Sequence, residues 1–357
     1  MRLSLAMIVK NEEEKLARCL QSVKEYVDEL VVVDTGSTDK TKEIAASFGA
    51  KVFDFAWCDD FSKARNFSIE KTSGDFVLVL DADSYLLSFD REKALVAMEG
   101  KRAVGLAEIT NIYTHNGVKV TDRFFAGAVF PREARYFGPI HEQIEPKLPR
   151  VILPVSIFHD GYDNRSEAKF NRNIGILKRA LQEKKDAYLM YKLAQEYRGL
   201  TQLTLADSQF AAAYQTAGKG DSYYARLVAE YLGNLIQMKK YERALEIAQQ
   251  EQMRFPDYPE LFFVSGELYM EAVLFNPQTY IQYFPRIKEC YERCIAIGEN
   301  PKYQGIVGMG SFMALHNLGA FYEVTGDMQN AKKCYIAAAG MGYPPAQRRL
   351  EDMAGKR

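Results

Sequence analysis

Apolar residues are distributed along this chain in two different ways. Through the first half they come as short unbroken runs: Leu3-Ser4-Leu5-Ala6-Met7-Ile8-Val9, Glu29-Leu30-Val31-Val32-Val33-Asp34, Lys51-Val52-Phe53-Asp54 and Phe76-Val77-Leu78-Val79-Leu80. Runs without polar alternation predict strands buried on both faces, as in a parallel sheet covered by helices. Segments of helical period lie between them. Residues 13–26 put Leu16, Leu20 and Val23 on one face, and residues 38–48 follow Ser37 or Thr38 as a cap. This alternation predicts βαβ winding, in which ligands gather beyond the carboxyl ends of the strands. Asn11, Asp34, Asp54, Asp81 and Asp83 all fall at such ends.

The second half has no strand-like runs. A polar link at 163–166 leads into a predicted helix over 167–184 with Phe170, Ile174, Leu177 and Leu181 on one face. A repeat of roughly 34–40 residues follows, the period of helical-pair arrays. Ala194, Tyr197, Ala206, Phe210 and Ala213 form the first unit; Leu232, Gly233, Ile236, Ala244, Ala248 and Pro256 form the second. Gly266 and Tyr269 open a third, which Asn276-Pro277 to Phe284-Pro285 interrupts before Tyr291 and Cys294 resume it. Leu318, Gly319, Tyr322, Ala331, Tyr335 and Ala338 form the last. Small residues let paired helices approach and aromatics fill the gaps, so these positions are read as packing. The expected division is an α/β domain over 1–165, a linking helix over 166–185 and all-α helical repeats over 186–357.

The most telling chemistry is Asp81-Ala82-Asp83, which delivers two carboxylates to the open end of an apolar strand. Hard divalent cations take oxygen ligands and often keep one or two protein carboxylates, completing their shell with phosphate and water. A nucleoside diphosphate suits such a site. Neither Gly-x-Gly-x-x-Gly nor a Gly-x-x-x-x-Gly-Lys-Ser/Thr loop occurs, so phosphate neutralisation falls to the metal, helped by a cation such as Arg65.

Met7-Ile8-Val9-Lys10-Asn11-Glu12, Val32-Val33-Asp34-Thr35-Gly36-Ser37-Thr38-Asp39, Trp57-Cys58-Asp59-Asp60-Phe61-Ser62-Lys63-Ala64-Arg65-Asn66 and Leu80-Asp81-Ala82-Asp83 together resemble the family 2 glycosyltransferases of the GT-A fold. The resemblance implies an inverting transferase using Mn²⁺ or Mg²⁺, with a nucleotide-sugar site built from Val9, Asn11, Glu12, Asp34, Asp54, Arg65, Asn66 and Asp81. Asp83 is the expected metal ligand. Ser84 departs from the pattern, since close relatives often carry an acidic residue there. Phe137-Gly138-Pro139-Ile140-His141-Glu142-Gln143 and Ile157-Phe158-His159-Asp160-Gly161-Tyr162 resemble two further motifs of the branch containing lipopolysaccharide-core and peptide-modifying transferases. His159 is the expected second metal ligand, which Mn²⁺ accepts more readily than Mg²⁺. The base that takes the acceptor's proton is expected to be Glu142, with His141 as second choice.

The chain has 357 residues, net charge −1 and five cysteines. Near-neutral charge offers no footprint for nucleic acid, and no run of apolar residues is long enough to cross a membrane. Met1-Arg2 leads straight into the first strand, and the cysteines read as free thiols, so a cytoplasmic enzyme is expected. Cys290 and Cys294, a helical turn apart, are read as packed hydrophobes rather than zinc ligands. The combined arrangement resembles bacterial peptide and flagellin glycosyltransferases, with a UDP-sugar donor and a protein or peptide acceptor held by the repeats. A homodimer through the repeats is compatible with that role. Two alternatives are a saccharide or lipid-linked acceptor in envelope synthesis, and a non-catalytic repeat scaffold with a degenerate transferase domain. Loops between about residues 86 and 131, including Thr110-Asn111-Ile112-Tyr113 and Arg123-Phe124-Phe125, are expected to shape the pocket.

Overall fold

A computed structural model describes residues 1–115, 118–145, 147–160 and 166–355. The end of the late histidine motif, Gly161-Tyr162, and the link 163–165 lie outside the described residues. The chain divides into two compact units, Met1–Lys185 and Asp186–Arg357.

The first unit is built on one mixed, mostly parallel sheet. Strands β1 (Leu3–Val9), β2 (Glu29–Asp34), β3 (Lys51–Asp54) and β4 (Phe76–Val79) lie in the order β3-β2-β1-β4, all parallel. Leu3, Leu5, Met7, Val31, Val32 and Val33 are fully buried, as strands covered on both faces require. Helix α1 (Leu16–Val23) buries Leu16, Cys19, Leu20 and Val23 against this sheet. Helix α2 (Thr41–Ser47) starts later than its apolar period suggests, because the expected caps are engaged elsewhere. Ser37 and Thr38 are drawn into a turn in which Asp34 Oδ1 accepts from the Gly36 and Ser37 N–H groups and Asn11 Oδ1 accepts from Thr38 N–H. Helix α3 (Phe61–Glu70) is capped by Asp60, which accepts from Lys63 N–H at 3.0 Å.

The region 86–131 is not a set of loops. It forms most of strand β5 (Ser84–Phe89), helix α4 (Arg91–Met98) and the long strands β6 (Val104–His115) and β7 (Val118–Pro131). These extend the sheet as β4-β7-β6-β10-β5, with β10 being Arg150–His159. The overlooked signal is Asn116-Gly117 between two runs rich in β-branched and aromatic residues, the composition of a hairpin. Short strands β8 (Tyr136–Phe137) and β9 (Gln143–Ile144) pair separately, and α5 (Glu167–Glu183) closes the unit.

The second unit is helical throughout most of its length. Helix α6 (Ala187–Gly199) packs on α7 (Leu203–Thr216), α8 (Tyr224–Gln237) on α9 (Tyr241–Arg254), α10 (Pro259–Phe275) on α12 (Phe284–Ile297) and α13 (Phe312–Val324) on α14 (Met328–Gly340), before α15 (Pro344–Gly355). The expected interruption is a short helix α11 (Pro277–Tyr280) and a 3₁₀ turn. Gly266 and Gly319 explain the glycine–tyrosine spacing. A Cβ on either would lie 2.8 Å from Tyr291 Cζ or 2.9 Å from Tyr335 Cε1, so the phenol rings use the absent side chain's space. Cys290 and Cys294 are buried free thiols on α12. Among the described residues no helix is long and apolar enough to cross a membrane.

Glu29 pins the strand starts of the first unit together. Its carboxylate accepts from Ser4 Oγ at 2.7 Å, Ser73 N–H at 2.7 Å and Lys51 Nζ at 2.6 Å. Burial alone would raise its pKa, but these hydrogen bonds, led by Lys51, bring it down to about 2. A depressed carboxylate stabilises the fold above its ordinary 4.5, and that contribution disappears as pH falls toward about 2. Glu29→Gln is expected to lower stability by about 3 kcal/mol near neutral pH, and by progressively less in denaturant titrations below pH 4.5.

Candidate active site

The carboxyl ends of β1, β2 and β4 and the far end of β10 carry the polar groups. Val9 closes β1, and its carbonyl accepts from Thr35 N–H and Oγ1 at 2.9 and 3.0 Å, locking the β1 and β2 exits together. Asn11 follows with φ +54, a left-handed conformation that Asn tolerates better than most residues. Glu12 is half-buried, and its pKa is raised by burial first and by Asp83 second. Asp34 is 1% exposed: Oδ1 holds the turn described above, whereas buried Oδ2 has no hydrogen-bond partner. Asp54 sits opposite Asp34 in the register, but its side chain is 77% exposed and pairs with Lys42 at 3.1 Å.

Arg65 reaches out from α3 to join two carboxylates. Its Nη2 donates to Asp81 Oδ1 at 2.9 Å, and its Nε donates to Glu142 Oε1. Burial by itself would favour losing the proton, but Asp81 and Glu142 hold the guanidinium charge well above its ordinary range. Nη1 is buried with no hydrogen-bond partner. The loop before Glu142 is fixed by Phe61 N–H donating to Pro139 O at 2.8 Å, and His141 takes φ +49. Asn66 uses its amide on the Tyr136 backbone, donating to the carbonyl at 3.0 Å and accepting from the N–H at 2.8 Å. That clasp leaves one amide hydrogen for any ligand.

Asp83 and His159 meet at the end of the sheet. His159 Nε2 lies 3.3 Å from Asp83 Oδ1, an ion-pair separation at the long end of hydrogen bonding. Burial alone would disfavour both charges. The pair overrides it, lowering the Asp83 pKa and raising that of His159. Two neighbouring ligands of a six-coordinate cation with bonds of about 2.1 Å stand about 3 Å apart, so this spacing fits Mn²⁺ or Mg²⁺. Among the described residues no three acidic, His or Cys side chains form a ready cage. Two protein ligands suit cations that complete their shell with phosphate and water. Ser84 is buried and stands opposite His159 in the β5–β10 register, where the main chain rather than an acidic side chain closes the turn through Ser84 N–H to Asp81 O at 2.9 Å.

Asn111, expected only among the residues shaping the pocket, proves to contact His159. Asn111 is fully buried on β6 and is the register partner of His159 on β10 and of Asp122 on β7. Its Oδ1 lies 3.1 Å from His159 Nδ1. A carbonyl oxygen accepts only, so the hydrogen sits on Nδ1 and, in the neutral ring, the lone pair sits on Nε2 toward Asp83. Nothing in the local sequence marks Asn111, because the partner is supplied by strand pairing across 48 positions.

Residues 4–151 match the model for glycosyl transferase family 2. The chain is 27% identical over 195 residues to the SPbeta prophage-derived glycosyltransferase SunS of Bacillus subtilis, covering 50% of this chain and 45% of SunS. It is 56% identical over 86 residues to a TPR repeat-containing protein of Synechococcus elongatus, covering 24% of this chain and 21% of that protein. The matches thus span less than half the length of these relatives. The solved glucosyl-3-phosphoglycerate synthase from Mycobacterium tuberculosis, in complex with Mn²⁺, uridine diphosphate and glucosyl-3-phosphoglycerate, is 25% identical with a TM-score of 0.26, covering 31% of this chain and 44% of that one. The fold is a GT-A-like α/β domain, followed along the chain by TPR-like helical pairs. The chain carries a glycosyltransferase family 2 domain at its N-terminus.

Asn111→Ala is expected to weaken Mn²⁺ binding by about tenfold in calorimetry, the scale of losing a partner behind a ligating histidine. A cation held by His159 would have to displace a proton from an imidazole whose pKa is raised, so Mn²⁺ affinity is expected to climb with pH beyond the ordinary imidazole value of 6.5. A flat profile, or one unchanged in His159→Ala, would remove His159 from the shell.

Proposed function

We propose that this protein is a metal-dependent inverting glycosyltransferase that moves a sugar from a nucleotide-sugar donor, with UDP-sugars the first choice, to a protein or peptide acceptor presented by its helical repeats. The observation carrying the reading is the convergence of Asp81, Asp83, His159 and Arg65 around strand ends, with Asp34 Oδ2 buried and unsatisfied beside them. Buried acceptors without donors are costly unless a ligand supplies the missing partner. A base with an N–H donor, such as uracil, suits Asp34 Oδ2. A bound cation would be held by Asp83 and His159 and would act as a Lewis acid toward the diphosphate.

The protein's own groups account for the remaining steps. Asp81, held by Arg65, would meet the donor ribose, and the Arg65 charge would offset negative charge gained by the diphosphate oxygens. The acceptor's nucleophilic atom attacks the anomeric carbon as the bond from that carbon to the phosphate oxygen breaks, and the acceptor's proton passes to a base. Glu142 fits that task, since Arg65 fixes its Oε1 edge while Oε2 carries no protein hydrogen bond. His141 next to it is the second candidate.

Support for a polypeptide acceptor comes from the helical pairs, an architecture that suits extended peptides. The test separates donor chemistry from acceptor choice. Donor hydrolysis with Mn²⁺ should fall at least about a hundredfold in Asp83→Ala and vanish with EDTA. Retained hydrolysis in both would rule out the metal reading. Glu142→Gln should keep UDP-dependent thermal stabilisation while transfer falls about a hundredfold or more. If transfer by Glu142→Gln stays near wild type, the carboxylate only braces its loop. Protein and oligosaccharide acceptors compared under one donor then decide between a polypeptide and a glycan target.

A further inference from the structure

Helix α5 reaches back to the segment that begins α3. Arg172 and Arg179 are seven residues apart, two turns of helix, so both extend from one face of α5. The Arg172 guanidinium lies 5.3 Å from the centre of the Phe61 ring, and Arg179 Nη2 donates to Asp59 Oδ2 at 2.8 Å. The loop they meet is braced from within. Trp57, the only tryptophan of the chain, donates from Nε1 to Asp59 Oδ1 at 2.9 Å and sets its ring edge-on to Phe61 at 4.7 Å. Asp59 thus gives one carboxylate oxygen to its own loop and the other to α5, at a left-handed φ of +56.

Phe61 carries these contacts into the site. It is the first residue of α3, directly after the capping Asp60, and Arg65 follows four residues later on the same face. Its N–H donates to Pro139 O at 2.8 Å, three residues before Glu142. Arg65 and Glu142 are in turn joined to each other. A shift of Phe61 therefore reaches both charges, one through the helix and the other through the loop. For stability the α5 contacts count little. Arg179 and Asp59 are 57% and 49% exposed, and ion pairs and cation–π contacts open to water contribute weakly. Their consequence lies in placement, because reacting groups work only when their geometry is closely held.

We infer that Arg172 and Arg179 are positioning residues: through Phe61 and Asp59 they clamp the start of α3 and so fix where Arg65 and Glu142 stand. The inference rests on the transferase reading for its effect on turnover, and it extends that reading to a helix outside every site motif. A lysine in either place keeps a positive charge over the ring or beside the carboxylate, whereas alanine removes the contact outright.

The test joins hydrogen exchange to kinetics on the full chain. Without any ligand, Arg172→Ala combined with Arg179→Ala should speed amide exchange about fivefold or more in peptides covering 57–66 and 136–142, and leave 3–9 and 16–23 as in wild type. Trp57 emission should move to longer wavelength. In transfer from a UDP-sugar the same variant should lower kcat about tenfold while donor KM changes about twofold or less. Its melting temperature should fall by no more than about 3 °C. Lysine at both positions should recover most of kcat. Lys93→Ala, which breaks an exposed pair on α4, should alter none of these readings. Unchanged exchange at 136–142, unchanged kcat beside an active wild type, or a kcat loss that lysine does not recover would each overturn the inference. If wild type transfers sugar from no donor, it is the transfer reading that fails; faster exchange at 136–142 then upholds the clamp, and unchanged exchange removes it.

Discussion

The site of the first unit depends on one buried guanidinium. Arg65 ties α3 to Asp81 at the exit of β4 and to Glu142 in the loop after β8, segments far apart in sequence. Arg65 and Glu142, both largely withdrawn from water, hold each other in place, and the half-exposed Asp81 completes the set. Removing one partner of such a set typically costs about 3–5 kcal/mol, since the others remain buried and unmatched. The same pairings that stabilise the loop thus fix where the acidic groups stand. Asp81 is aligned without a metal, and Glu142 cannot swing freely. A preorganised arrangement of this kind reduces the reorganisation left for the reaction itself.

The sheet supplies the second constraint. Parallel winding brings the exits of β1, β2 and β4 to one edge, but it cannot close the site from the other side. That comes from the antiparallel half, where β10 returns beside β6 and β5 to carry His159 to the level of Asp83 and Ser84. Asn111 belongs to the same construction. It contacts the imidazole from a neighbouring strand, so His159, the proposed second ligand, is positioned by backbone register rather than by local sequence.

Much of this was legible from the chain. The four parallel strands, the carboxylates at their ends and the change to helical pairs all follow from apolar period and turn chemistry, which are local signals. The start of α2 was misjudged because Asp34 and Asn11 recruit Ser37 and Thr38 into a turn, and that recruitment bridges two strands. The stretch 86–131 was read as loops because its strands are partly exposed and carry polar residues, so the apolar run that betrays a buried strand is missing. The contact of Asn111 with His159 and the pairing of Asp54 with Lys42 were invisible for a related reason. Both are settled by which elements lie side by side, and a single sequence does not state that.

A physical contrast separates site from scaffold in the first unit. Glu29 is surrounded by donors, receiving Ser4, Lys51 and Ser73, as are Glu230 and Glu251 in the helical unit. Asp34 Oδ2, at the exit of β2, is buried with no hydrogen-bond partner among the described residues. Local consistency is the rule in a folded chain, and departures from it concentrate where function requires them.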